Sequence, residues 1–198
     1  MTKDFAAWLI RVACGVKLLP PEALPSGPTI YFANHSSHLD FTTIWAALPK
    51  AARDRVRPVA GRDYWEKNAR RKHIACDFFN AVLIERHKVT VATNPLEPML
   101  AALDAGSSLI VFPEGTRSPD GKIHEFKSGL HHLARARPNV TLVPIYLQDL
   151  NRILPKGDFL PVPLLGSLSL GDPIKLDPAE SKTAFLQRAR QAVESLAK

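Results

Sequence analysis

Short apolar runs of β-branched and aromatic residues recur along this chain, and each is followed by a turn or a helical segment. They fall at 29–33, 56–60, 78–84, 108–112 and 140–147, with a last short run at 168–170. Between them lie segments with helical signals. One spans 40–48 and is closed by Pro49. Another, 63–72, is a polar helix or loop rich in Arg and Lys. A third spans 95–105, with Pro95 allowed in the first turn and Gly106 as its cap. A fourth, 128–137, is stopped by Pro138. Pro178 opens a C-terminal helix whose Phe185, Ala189, Val193 and Leu196 form one stripe. Strands alternating with helices predict an α/β fold: a single domain with a largely parallel or mixed central sheet flanked by helices. The 198 residues fit one such domain. The Pro-rich stretch 151–166 reads as an ordered loop flanking the site.

The N-terminal segment is different in kind. Phe5, Trp8, Leu9, Val12, Val16 and Leu19 recur at spacings of three and four, with Lys3, Arg11 and Lys17 off the stripe. This is an amphipathic helix ended by Pro20-Pro21. Its stripe suits the membrane interface or packing on its own domain, and the pattern is compatible with both. The expected organisation is therefore 1–20 as a short amphipathic helix and 21–198 as the main domain. No run reaches the roughly 18 uncharged apolar residues that a membrane span requires. Cys14 and Cys76 form no disulfide framework. The reading is a cytoplasmic protein, peripheral to the inner face of the cell membrane. The net charge of +7 points to an anionic partner: nucleic acid, an acidic membrane surface or a phosphorylated or CoA-type substrate. Nucleic acid is not expected. The arginines at 53, 55, 57, 62, 70 and 71 lack interleaved aromatic residues, and no helix-turn-helix or zinc pattern occurs.

Two strand-end stretches carry the chemistry. In Asn34-His35-Ser36-Ser37-His38-Leu39-Asp40, a histidine precedes a carboxylate by five residues. A histidine titrates near ~6.5 when unperturbed, so it makes an effective base at neutral pH. Asp40 in a first helical turn could hold one ring nitrogen of a loop-borne His35 and leave the other for a substrate hydroxyl. In Phe112-Pro113-Glu114-Gly115-Thr116-Arg117-Ser118, Gly115 permits a tight turn and Arg117 can grip a phosphate with paired hydrogen bonds. Thr116 and Ser118 add hydroxyls, and Glu114 could orient Arg117 or a substrate hydroxyl. His35, His38 and Asp40 do not have the spacing of the helical zinc pair, so no metal is expected. Gly115 to Lys122 has five residues between its glycines and Ile123 where a P-loop has Ser or Thr. No Gly-x-Ser-x-Gly elbow is present.

These stretches, in this order, resemble the glycerolipid acyltransferase family, whose best-known members act on 1-acyl-glycerol-3-phosphate (lysophosphatidate). Asn34, His35 and Asp40 match its Asn-His-x4-Asp block, and Ile84-Glu85-Arg86 its second block. Phe112 to Ser118 match the third at every position, and Val143-Pro144-Ile145 resembles the fourth. Phe126-Lys127-Ser128-Gly129 resembles a Phe-Lys-x-Gly piece between the last two. The resemblance implies that His35, oriented by Asp40, deprotonates a lysophospholipid hydroxyl. That hydroxyl then attacks the thioester of acyl-CoA or acyl-carrier protein, without metal or other cofactor. It implies substrate contacts at Arg86, Glu114, Gly115, Thr116, Arg117, Ser118 and Lys127. The chain departs from the family at Glu85, where Asp is common, and at Gly61-Arg62, where a lysine is often seen. The alternatives are an acyltransferase for another lysolipid and a non-catalytic lipid-binding protein on the same fold.

Overall fold

The computed structural model describes residues 2–86, 90, 93–150 and 166–197. Its centre is a six-stranded sheet of β1 (Thr29–Ala33), β2 (Val56–Gly61), β3 (Val82–Ile84), β4 (Ser108–Val111), β5 (Thr141–Gln148) and β6 (Ser167–Leu170). The spatial order is β3-β2-β4-β1-β5-β6. All neighbours are parallel except β5 and β6, so the sheet is mixed. All five residues of β1 are buried, as a central parallel strand requires.

Apolar residues fill both faces. Tyr31 and Ala33 of β1 join one cluster with Ile44, Trp45 and Leu48. That side is covered by α1 (Lys3–Cys14) and α2 (Asp40–Ala47). Ile30 and Phe32 join the other cluster, with side chains from α6 (Leu96–Asp104), α7 (Gly129–Ala136) and α8 (Lys182–Glu194). Three short helices complete the described part: α3 (Lys50–Arg53), α4 (Arg62–Trp65) and α5 (Ala69–His73).

The connections explain how distant residues meet. After β1 the chain crosses β4 to reach β2, whereas after β4 it crosses β1 to reach β5. The helices that follow, α2 and α7, consequently cover opposite faces. A crevice opens between the carboxyl ends of β1 and β4, at the switch point where ligands of α/β sheets collect.

Several expected elements shift. The N-terminal helix ends at Cys14, where Gly15 adopts φ 66° and its N–H bonds to the Arg11 carbonyl, so Val16 and Leu19 lie beyond it. Its packed face is Ala6, Ala7 and Cys14, which let α1 approach α2 closely, while Phe5, Trp8, Leu9 and Val12 are exposed. The run 78–84 is a strand only at its end. Ile74–Phe78 forms a π-type turn, Phe79 is buried in the core, and Asn80 takes φ 52° before β3 begins. The polar segment 63–72 becomes two short helices. α8 starts after the N-cap Ser181, whose hydroxyl accepts from the Ala184 N–H, rather than at Pro178. The Pro-rich loop lies outside the described residues except at Gly166.

Candidate active site

The loop after β1 is anchored by Asn34. Its side chain donates to the Leu147 carbonyl (2.9 Å) and accepts from the Leu147 N–H (2.8 Å), extending the ladder towards β5. His35 follows and is held by its backbone on both sides. Its N–H donates to Glu114 Oε1 (2.8 Å), and its carbonyl accepts from the Ser118 N–H (2.7 Å). The imidazole stacks on the Phe112 ring, with centroids 4.2 Å apart and planes at 19°.

His35 Nδ1 lies 2.7 Å from Asp40 Oδ2. The same oxygen accepts from the backbone N–H groups of Ser36 (2.6 Å) and Ser37 (2.8 Å). Asp40 is fully buried at the first residue of α2, where the helix dipole favours a negative charge. A carboxylate oxygen can only accept, so the ring nitrogen that faces it, Nδ1, carries the hydrogen. Nε2 is then left as the acceptor, the tautomer a general base needs. His35 lines a cavity of about 790 Å³, within the about 300–1,000 Å³ usual for ligand sites.

Cations gather on one side of this cavity. Arg86, Gly115, Thr116, Arg117 and Lys127 all line it. Gly115 turns with φ 72°, and a Cβ there would meet Lys127 Nζ at 2.7 Å, so the lysine lies against its bare Cα. Arg86 Nη1 is 3.3 Å from the Gly115 carbonyl. Neither Arg117 nor Lys127 forms an ion pair among the described residues. Unpaired cations around a glycine turn have the charge and the donors to receive an anion. Part of the remaining wall is apolar, with Phe41 and Phe79 from one side of the sheet and Met99 and Leu133 from the other, while Asp63, Lys67, Glu85 and Asn94 also line the cavity.

Two of the expected substrate contacts are placed otherwise. Glu114 is 3% exposed, and its second oxygen accepts from the His124 N–H (3.1 Å). Burial pushes its carboxyl up from the ordinary value, and the two backbone donors offset this only in part. The Ser118 hydroxyl donates to Asp120 (2.9 Å). Neither residue lines the cavity: Glu114 is taken up by two backbone N–H groups and the Ser118 hydroxyl by the Asp120 carboxylate. His38 does line it, 5.8 Å from the Tyr64 ring. Burial and then Arg117 lower its pKa. Among the described residues no group of three His, Cys, Asp or Glu is arranged to hold a metal ion. Asn34 and Asp63 were not singled out as site residues from the sequence. For Asn34 the signal was its place at the head of the Asn-His-x4-Asp block.

A half-buried histidine on a buried aspartate thus lies beside a cationic turn, at the switch point of an α/β sheet. The acyltransferase family model matches residues 16–148, and the chain belongs to that family. It is 33% identical over 144 residues to the chloroplastic 1-acyl-sn-glycerol-3-phosphate acyltransferase LPAT1 of Arabidopsis thaliana, covering 69% of this chain and 36% of that protein. It is 32% identical over 127 residues to 1-acyl-sn-glycerol-3-phosphate acyltransferase alpha of Homo sapiens, covering 63% and 42%. The chain thus spans less than half the length of these two relatives. The crystal structure of PlsC, the 1-acyl-sn-glycerophosphate (LPA) acyltransferase from Thermotoga maritima, has a TM-score of 0.74 at 22% identity, over 96% of this chain and 78% of that one. The two share a fold.

Proposed function

We propose that this chain transfers a fatty acyl group from the thioester of acyl-CoA or acyl-carrier protein to the free hydroxyl of 1-acyl-glycerol-3-phosphate, giving phosphatidate. The observation that carries this reading is the His35–Asp40 pair opening onto one cavity with Arg86, Arg117 and Lys127. Both relatives above are named for this acceptor. His35 Nε2 takes the proton of the acceptor hydroxyl as its oxygen attacks the thioester carbonyl. The tetrahedral intermediate then expels the thiolate, which takes the proton back from the imidazolium. This sequence uses no metal or cofactor. The cations hold the acceptor phosphate, and the apolar wall takes hydrocarbon.

The test is thiol release from long-chain acyl-CoA and, separately, acyl-carrier protein, each with and without lysophosphatidate. Release that depends on the acceptor, with at least one donor, is expected. No acceptor-dependent release with either donor overturns the reading and favours a lipid-binding role.

The reading places the protein on an anionic membrane surface at the inner face of the cell membrane. Its support is α1, whose Phe5, Trp8, Leu9 and Val12 are exposed beside the exposed Lys3. No helix among the described residues is long and apolar enough to cross a membrane. Replacing Trp8 and Leu9 together by serine is expected to weaken sedimentation with phosphatidylglycerol vesicles by about tenfold or more. Thermal stability should hold, since these side chains face away from the core. Unchanged vesicle binding would remove α1 from the contact.

A further inference from the structure

Arg86 stands at the end of β3 on a long, flexible side chain, yet it is fixed in three ways. Asp63, from α4, accepts from Nε through Oδ1 (2.9 Å) and from Nη2 through Oδ2 (2.7 Å). The Gly115 carbonyl lies 3.3 Å from Nη1. Beneath it, Gly61 has no side chain: a Cβ there would stand 2.2 Å from Nε and 2.5 Å from Cζ. The guanidinium therefore rests across the bare Cα of Gly61. A side-on pair with a carboxylate uses Nε and one hydrogen of Nη2. It leaves the outer hydrogen of Nη2 and the Nη1 hydrogen not given to the Gly115 carbonyl for a second anion. Through Nη1 the guanidinium reaches Gly115, against which Lys127 also lies.

We infer that Asp63 is the positioning residue of the anion clamp, aiming the remaining hydrogens of Arg86 at the acceptor's phosphate; this rests on the acceptor reading above. Asp63 and Arg86 are each about one-third exposed. The pair therefore adds little to folding, and its value is in orientation.

Charge and orientation predict opposite results here, which makes the test sharp. Removing a carboxylate beside a cation should tighten anion binding if charge alone matters. If Asp63 aims Arg86, removing it should loosen binding. Calorimetric titration of the full chain with glycerol 3-phosphate should show Asp63→Ala weaker than wild type by about tenfold, with Asp63→Glu intermediate. In turnover, the KM for lysophosphatidate should rise by a similar factor while kcat holds. Turnover of a monoacylglycerol, which lacks the phosphate, should not change. Unchanged or tighter binding of glycerol 3-phosphate by Asp63→Ala overturns the inference, as does an equal loss of turnover on both acceptors. A wild type that neither binds glycerol 3-phosphate nor uses lysophosphatidate overturns the acceptor reading itself, and this inference with it.

Discussion

Replacement of His35 by alanine is expected to lower kcat for acyl transfer by about 10²–10⁴-fold, with KM for the acceptor nearly unchanged and the fold intact. The kinetic split follows from location. In the proposed reaction the imidazole serves the hydroxyl that reacts, whereas holding the acceptor falls to Arg86, Arg117 and Lys127, which line the same cavity. The fold survives because His35 is held by its backbone, through Glu114 Oε1 and the Ser118 N–H, and both bonds remain in the variant. Asp40 Oδ2 also keeps the Ser36 and Ser37 N–H donors, so the carboxylate retains two of its three hydrogen bonds. The side chain is 21% exposed, so the space it leaves can fill with water. Steady-state thiol release with a thermal melt on the same preparation checks both halves. A variant within tenfold of wild-type kcat would remove His35 as the base.

The alternation of strand and helix was readable because each strand is a local apolar run and each helix carries its own breaker. The strand order was not. Nothing in 29–33 or 108–112 states that β4 lies beside β1, yet that adjacency brings His35 and Gly115 to one crevice. The run 78–84 was too long a strand because hydrophobicity alone cannot separate a buried turn from a buried strand. Asn80, a residue type that tolerates positive φ, was the available sign of the break. In the N-terminal helix the large apolar residues were visible, but their direction was not. Close approach to α2 selects the small side chains Ala6, Ala7 and Cys14 for the packed face. Arg117 was readable from its own glycine turn and Arg86 and Lys127 from the resemblance, and the structure brings all three to one cavity. Asp63 was missed, since an acid 23 residues before Arg86 carries no local sign that the two meet.

Glu114→Ala is expected to destabilise the protein by about 2–4 kcal/mol, a loss of roughly 5–15 °C in Tm for a domain of this size, and to reduce acyl transfer. The reason is what its two oxygens do. Oε1 takes the N–H of His35 and Oε2 the N–H of His124, within a side chain that is 3% exposed. Truncation leaves both donors in a partly buried place without an acceptor. It also frees the backbone that sets His35 above the cavity. Glu114→Gln separates this role from contact with substrate. An amide keeps one oxygen for one of the N–H groups but must turn its NH₂ towards the other, donor against donor. The glutamine variant should therefore melt lower than wild type even without substrate. Had Glu114 faced the acceptor, as the motif alone suggests, glutamine would spare the melt and raise KM. A Glu114→Gln protein with wild-type Tm and a raised KM would return Glu114 to the substrate pocket.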